Sequence, residues 1–132
     1  MHLIVDGYST NQKILQDMDS LRDWLETYPL KMGMTRISPP YLLRYIGSKP
    51  EEWGISGFVF IAESHISLHT FVESNYVNID IFSCGDFDAE KAIKDLRDKF
   101  QLTKLRTCLI NREWSAELAA VADCQNFIYY GE

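Results

Sequence analysis

The chain has 132 residues, is 46% hydrophobic and carries a formal net charge of -6, which suits one folded domain and excludes a disordered chain. The acidic balance argues against nucleic acid and anionic membrane surfaces as partners. No apolar run suits a membrane span, residues 1–6 lack the pattern of a secretory leader, and three cysteines without CxxC spacing argue against a disulfide framework and for a reducing cytoplasm.

Residues 2–8 alternate in polarity and are bounded by Gly7 and Ser9, which predicts a first strand. Ser9, Thr10 and Asn11 offer caps for a helix reaching about Tyr28, with Ile14, Leu15, Met18, Leu21 and Leu25 on one face. Pro29 and Gly33 end it. A strand starting near Met34 breaks at Pro39 and Pro40, and residues 41–46 resume extended structure before a polar loop over 47–54. Two apolar runs, 57–62 and 65–71, are rich in Phe, Val, Ile and Thr and read as strands. Residues 77–82 alternate as another strand. Asp86 or Asp88 caps a second helix to about Phe100, whose buried stripe is Ala92, Ile93, Leu96 and Phe100. Residues 105–110 read as a strand, 115–122 as a short helix and 127–130 as a last extended piece. The sum is an α+β fold: a two-layer sandwich with a mostly antiparallel sheet covered by helices on one face.

Glu63, Ser64, His65 and His69 interrupt the apolar strands of the centre, and three chemistries compete for them. His65 and His69 would share a ligand face on a helix, but four residues of strand span about 13 Å, too far for one zinc ion. Metal binding is therefore not expected. Ser64 lacks the G-x-S-x-G elbow of a serine hydrolase, because Ala62 and Ile66 stand at the glycine positions. The third chemistry is self-processing, in which the Ser64 hydroxyl attacks the Glu63 carbonyl and the serine becomes a pyruvoyl group. That needs a constrained turn, an oxyanion donor and a base. Ser64 and His69 are an odd number of residues apart, so an unbroken strand would point them to opposite faces. A bend or bulge after Ser64 is required if His69 is to serve it.

Gly54-Ile55-Ser56-Gly57, Ile61-Ala62-Glu63-Ser64-His65-Ile66-Ser67-Leu68-His69-Thr70, Glu73, and Ile79-Asp80-Ile81-Phe82-Ser83-Cys84-Gly85 together resemble the short bacterial and archaeal type of S-adenosylmethionine decarboxylase, as do residues 2–6. The resemblance covers most of residues 1–113. It implies a proenzyme cut into a 1–63 β chain and a 64–132 α chain, with a covalent pyruvoyl cofactor derived from Ser64. That group forms a Schiff base with the substrate amine. By the same resemblance Glu63 is the new chain end, His69 the processing base, Cys84 the proton donor and Ser56 a hydroxyl that assists processing. Phe71 and Glu73 correspond to substrate-binding positions. A homodimer with residues of both subunits near each site, a small-molecule substrate and a cytoplasmic enzyme of spermidine synthesis are also implied.

The sequence departs from the family pattern at Phe71-Val72-Glu73, where W-P-E is usual, at Ser83-Cys84-Gly85, where T-C-G is usual, and in a longer 44–53 loop. These changes bear on substrate, so arginine or ornithine decarboxylation is the alternative activity. An unprocessed homologue acting as a ligand-binding dimer is the non-enzymatic one. Without the resemblance, Ser64 would be a turn residue, His69 a satisfied histidine, Cys84 a small core residue, and Phe71 and Trp53 core aromatics.

Overall fold

The computed structural model describes residues 1–112 and the backbone of 124–130. Its elements are β1 (His2–Ser9), α1 (Gln12–Gln16), α2 (Met18–Lys31), β2 (Tyr41–Ile46), β3 (Trp53–Ile61), β4 (Ser64–Phe71), β5 (Tyr76–Ser83), α3 (Ala89–Phe100), β6 (Leu102–Ile110) and β7 (Cys124–Tyr130). The strands form one sheet in the order β2-β3-β4-β5-β1-β6-β7. Every neighbouring pair is antiparallel. The expected α+β sandwich is what forms.

Alternation decides the two faces. Leu3 and Val5 of β1, Ile66 and Leu68 of β4, and Ile79 and Ile81 of β5 are buried against the helices. Leu21, Trp24, Leu25 and Tyr28 of α2 and Ala92, Leu96 and Phe100 of α3 supply the opposing layer. The other face carries half-buried or exposed side chains, among them His65, Ser67, His69 and Phe71 of β4.

The first helix is not continuous. Asp17 adopts extended backbone and its carboxylate accepts the Ser20 N–H at 3.0 Å, so it caps α2 and breaks the chain from α1, which Asn11 caps. Helix α2 also runs through Pro29, which stands in its last turn, and Gly33 follows in the left-handed conformation at φ 71°. The strand expected near Met34 is reduced to a single bridge, Arg36 to Ile61. The short helix expected over 115–122 lies outside the described residues. Cys108 is disulfide-bonded, which corrects the expectation of no disulfide, whereas Cys84 is a free, exposed thiol. Among the described residues no helix is long and apolar enough to cross a membrane.

Candidate active site

The Glu63–Ser64 bond leaves a two-residue hairpin. Ile61 pairs with Ser64, so Ala62 and Glu63 alone make the turn between β3 and β4. This supplies the tight turn that self-processing needs. Ser64 begins β4 nearly fully extended, at φ 157°, and pairs on its other side with Ser83 at the end of β5. The chain then brings Cys84 alongside. Its backbone N–H donates to the Glu63 carbonyl oxygen at 2.9 Å. That carbonyl is the one a Ser64 hydroxyl would attack, and a fixed N–H there stabilises negative charge developing on its oxygen.

The loop after α2 holds the other side of the hairpin. Ala62 N–H donates to the Thr35 carbonyl at 2.8 Å, and Thr35 N–H donates to Glu63 Oε2 at 3.3 Å. The Glu63 side chain is thereby held to the helix loop, while its carbonyl is held to Cys84.

A second group forms elsewhere. Ser56 and His69 are directly paired across β3 and β4, and Ser56 Oγ lies 2.8 Å from His69 Nδ1. Both belong to the face without helices. Phe71 is on that face too, its ring 5.9 Å from that of Tyr76. Glu73 follows in the turn after β4, where its Oε1 accepts the Trp53 indole N–H at 3.0 Å.

The two groups do not meet within one chain. Strand β4 pairs with both neighbours without a register shift, so the bend or bulge expected after Ser64 is absent. Ser64 has the parity of the helix-covered residues Ile66 and Leu68, His69 that of the open face. Five residues of strand separate them by about 17 Å. Ser64, Glu63 and Cys84 thus sit at one end of the β3–β4–β5 unit, and Ser56, His69, Phe71 and Glu73 toward the other.

His65 and His69 do share a face, but about 13 Å apart along the strand, so they do not chelate one ion together. His65 instead has Phe82 beside it, with ring centroids 5.5 Å apart, near the His2–Asp80 pair whose Nε2 and Oδ1 are 2.9 Å apart. Burial, then the charges of His2 and Arg112, push the His65 pKa down against the opposing pull of Asp80. The sequence reading missed this cluster, the Thr35 contact and the Trp53–Glu73 bond. All depend on pairing between distant segments, for which no local spacing exists as a signal.

Comparison with known proteins follows the same line. Residues 1–113 match the family model described as S-adenosylmethionine decarboxylase. The chain is 37% identical over 101 residues to an S-adenosylmethionine decarboxylase proenzyme of Synechococcus sp. (strain WH7803), covering 76% of this chain and 74% of that one. It is 32% identical over 112 residues to the proenzyme of that name from Archaeoglobus fulgidus, covering 84% and 95%. In fold it is similar to the crystal structure of the adenosylmethionine decarboxylase from Aquifex aeolicus, with a TM-score of 0.67, 22% identity and coverage of 86% of this chain and 94% of that one.

Proposed function

The chain belongs to the S-adenosylmethionine decarboxylase family, and on that premise we propose that it cuts itself before Ser64 and then decarboxylates S-adenosylmethionine for polyamine synthesis. The observation that carries this proposal is the Cys84 N–H aimed at the Glu63 carbonyl oxygen at 2.9 Å, at the exit of a two-residue turn.

Ser64 Oγ adds to the Glu63 carbonyl carbon while Cys84 N–H stabilises the oxyanion. The amide C–N bond breaks, the nitrogen takes up a proton, and an ester joins Glu63 to Ser64 Oγ. Removal of the Ser64 α-proton by His69 then breaks the Cβ–Oγ bond and releases Glu63 as a free carboxylate. The dehydroalanine that remains tautomerises to an imine, and water hydrolyses it with loss of ammonia. A pyruvoyl group fits this position, because its precursor serine and an oxyanion donor are already together. Once formed, that group supplies a carbonyl able to hold the electron pair left when carbon dioxide departs. The Cys84 thiol, free and exposed beside Ser64, is assigned the return of a proton to the product carbon.

His69 reaches Ser64 from a second copy of the chain. The Ser56–His69 pair is exposed on the helix-free face, and a homodimer closing over that face would bring it to the partner's Ser64. Ser56 fixes the imidazole through Nδ1 and leaves Nε2 for the proton. Phe71 and Glu73 then enter the same shared site as substrate contacts.

Intact mass and carbon dioxide release test the proposal. Purified protein should appear as two fragments divided at Glu63–Ser64, the second without a free amino terminus. It should release carbon dioxide from S-adenosylmethionine and lose that activity to phenylhydrazine. A single full-length species that never matures would favour the ligand-binding homologue. Faster release from arginine or ornithine would transfer the activity to those substrates.

A further inference from the structure

Glu73 is an exposed carboxylate in the turn between β4 and β5, and its geometry is set from outside that turn. Trp53, the first residue of β3, donates its indole N–H to Glu73 Oε1 at 3.0 Å. The Arg44 guanidinium, on β2, stands over the same indole with its carbon 4.4 Å from the ring centroid. Among the described residues, Glu73 has no other hydrogen bond or ion pair, and Arg44 has no acidic partner.

The backbone beneath this trio is closely packed. Val72, buried, donates its N–H to the Trp53 carbonyl at 3.3 Å. Thr70 Oγ1 accepts the Ile55 N–H at 2.9 Å. Gly54, between Trp53 and Ile55, lies so close to the Thr70 carbonyl that any Cβ would meet its oxygen at 1.7 Å. The backbones of Trp53 and of the turn carrying Glu73 are therefore held at a fixed distance.

We propose that Trp53 is a positioning residue for Glu73 and that, with Arg44, it makes this corner selective for the hydroxyl-bearing nucleoside part of an adenosyl substrate over a cationic side chain. This rests on Glu73 being a substrate contact. With Oε1 occupied by a neutral donor, Oε2 is left to accept from a hydroxyl. A guanidinium is best bound by both carboxylate oxygens in a fork, and one of the two is already engaged. An ammonium or guanidinium drawn to Glu73 would also approach the charge that Arg44 holds on the same indole. A site built to accept a hydroxyl discriminates strongly against a ligand lacking it.

Steady-state carbon dioxide release from S-adenosylmethionine, arginine and ornithine tests this, with Ser64 cleavage of each variant checked by intact mass. Trp53→Phe keeps an aromatic ring under Arg44 and removes the N–H. It should raise KM for S-adenosylmethionine about three- to tenfold, the scale of the usual net contribution of one hydrogen bond, with the effect on KM rather than kcat. In a Glu73→Ala background the same change should add little. A cleaved Trp53→Phe enzyme with the parent KM, a loss confined to kcat, or additive effects with Glu73→Ala would overturn the proposal. Arg44→Met carries the test if Trp53→Phe does not fold. It should raise kcat/KM for arginine or ornithine relative to S-adenosylmethionine at least about threefold, and an unchanged ratio sinks the selectivity. A parent enzyme faster on arginine or ornithine overturns the selectivity outright. A parent that stays uncut or turns over none of the three overturns the decarboxylase activity itself.

Discussion

The tasks proposed for Ser64, His69 and Cys84 are ones that single substitutions separate. Ser64→Ala removes the attacking hydroxyl and should leave the chain whole by intact mass. His69→Ala leaves the attack intact but removes the base for elimination, so hydroxylamine should split the stalled ester at Glu63–Ser64. Cys84→Ala keeps the backbone N–H on the Glu63 carbonyl, and so should still mature at least in part while turning over poorly. Parent-rate decarboxylation with clean product in Cys84→Ala would remove the thiol from its assigned role. His65 gives a pH dependence of its own. Burial first, then the His2 and Arg112 charges, favour its neutral ring in the fold, while an unfolded histidine titrates near 6.5. As pH falls through 6.5 toward the lowered folded value, the unfolded chain binds a proton that the folded chain does not, and stability is lost. His65→Gln should flatten the urea midpoint against pH below 6.5; an unchanged slope would place the dependence elsewhere. Ser64, His69 and Cys84 were legible as candidates because the motif that resembles the family is a string of residue types. Their contacts were not, because the Cys84 backbone N–H and the Ser56–His69 pair arise from strand register.

The elements were legible wherever one period ran without interruption. The 57–62 and 65–71 runs became β3 and β4, and Asp88 caps α3 as its position suggested, accepting the Lys91 N–H at 2.9 Å. The helix break at Asp17 was missed because Ile14, Leu15, Met18, Leu21 and Leu25 carry one apolar face across it, while a capping carboxylate decides the boundary locally. Asp17→Ala should lower stability by about 1 kcal/mol in urea unfolding, the usual cost of losing a cap. The close contact of β3 with β4 is more demanding. Gly54→Ala sets a methyl into the Thr70 carbonyl oxygen, so its cost should reach or exceed the roughly 1–3 kcal/mol typical of overpacking. A Gly54→Ala protein of parent stability would mean that β3 and β4 separate easily there, and with that the fixed distance between the backbones of Trp53 and the Glu73 turn would be lost.

At the scale of the whole molecule, one chain holds all the residues of the proposed chemistry but divides them between two ends of one sheet. The parity conflict between Ser64 and His69 was visible in the sequence; its resolution was not. A bulge within one chain and a second copy satisfy the same residue spacing, and only the uninterrupted register of β4 against β3 and β5 removes the bulge. The central claim is that Ser64 is served by the partner's His69, and co-expression of two defective chains tests it most directly. Ser64→Ala and His69→Ala chains carrying different tags are purified together, and each is weighed intact. The Ser64→Ala chain, itself uncuttable, should lend its His69 to the other, so the His69→Ala chain should be cut at Glu63–Ser64 in the mixed dimer and remain uncut when expressed alone. A His69→Ala chain that stays whole inside a demonstrated mixed dimer would contradict the account.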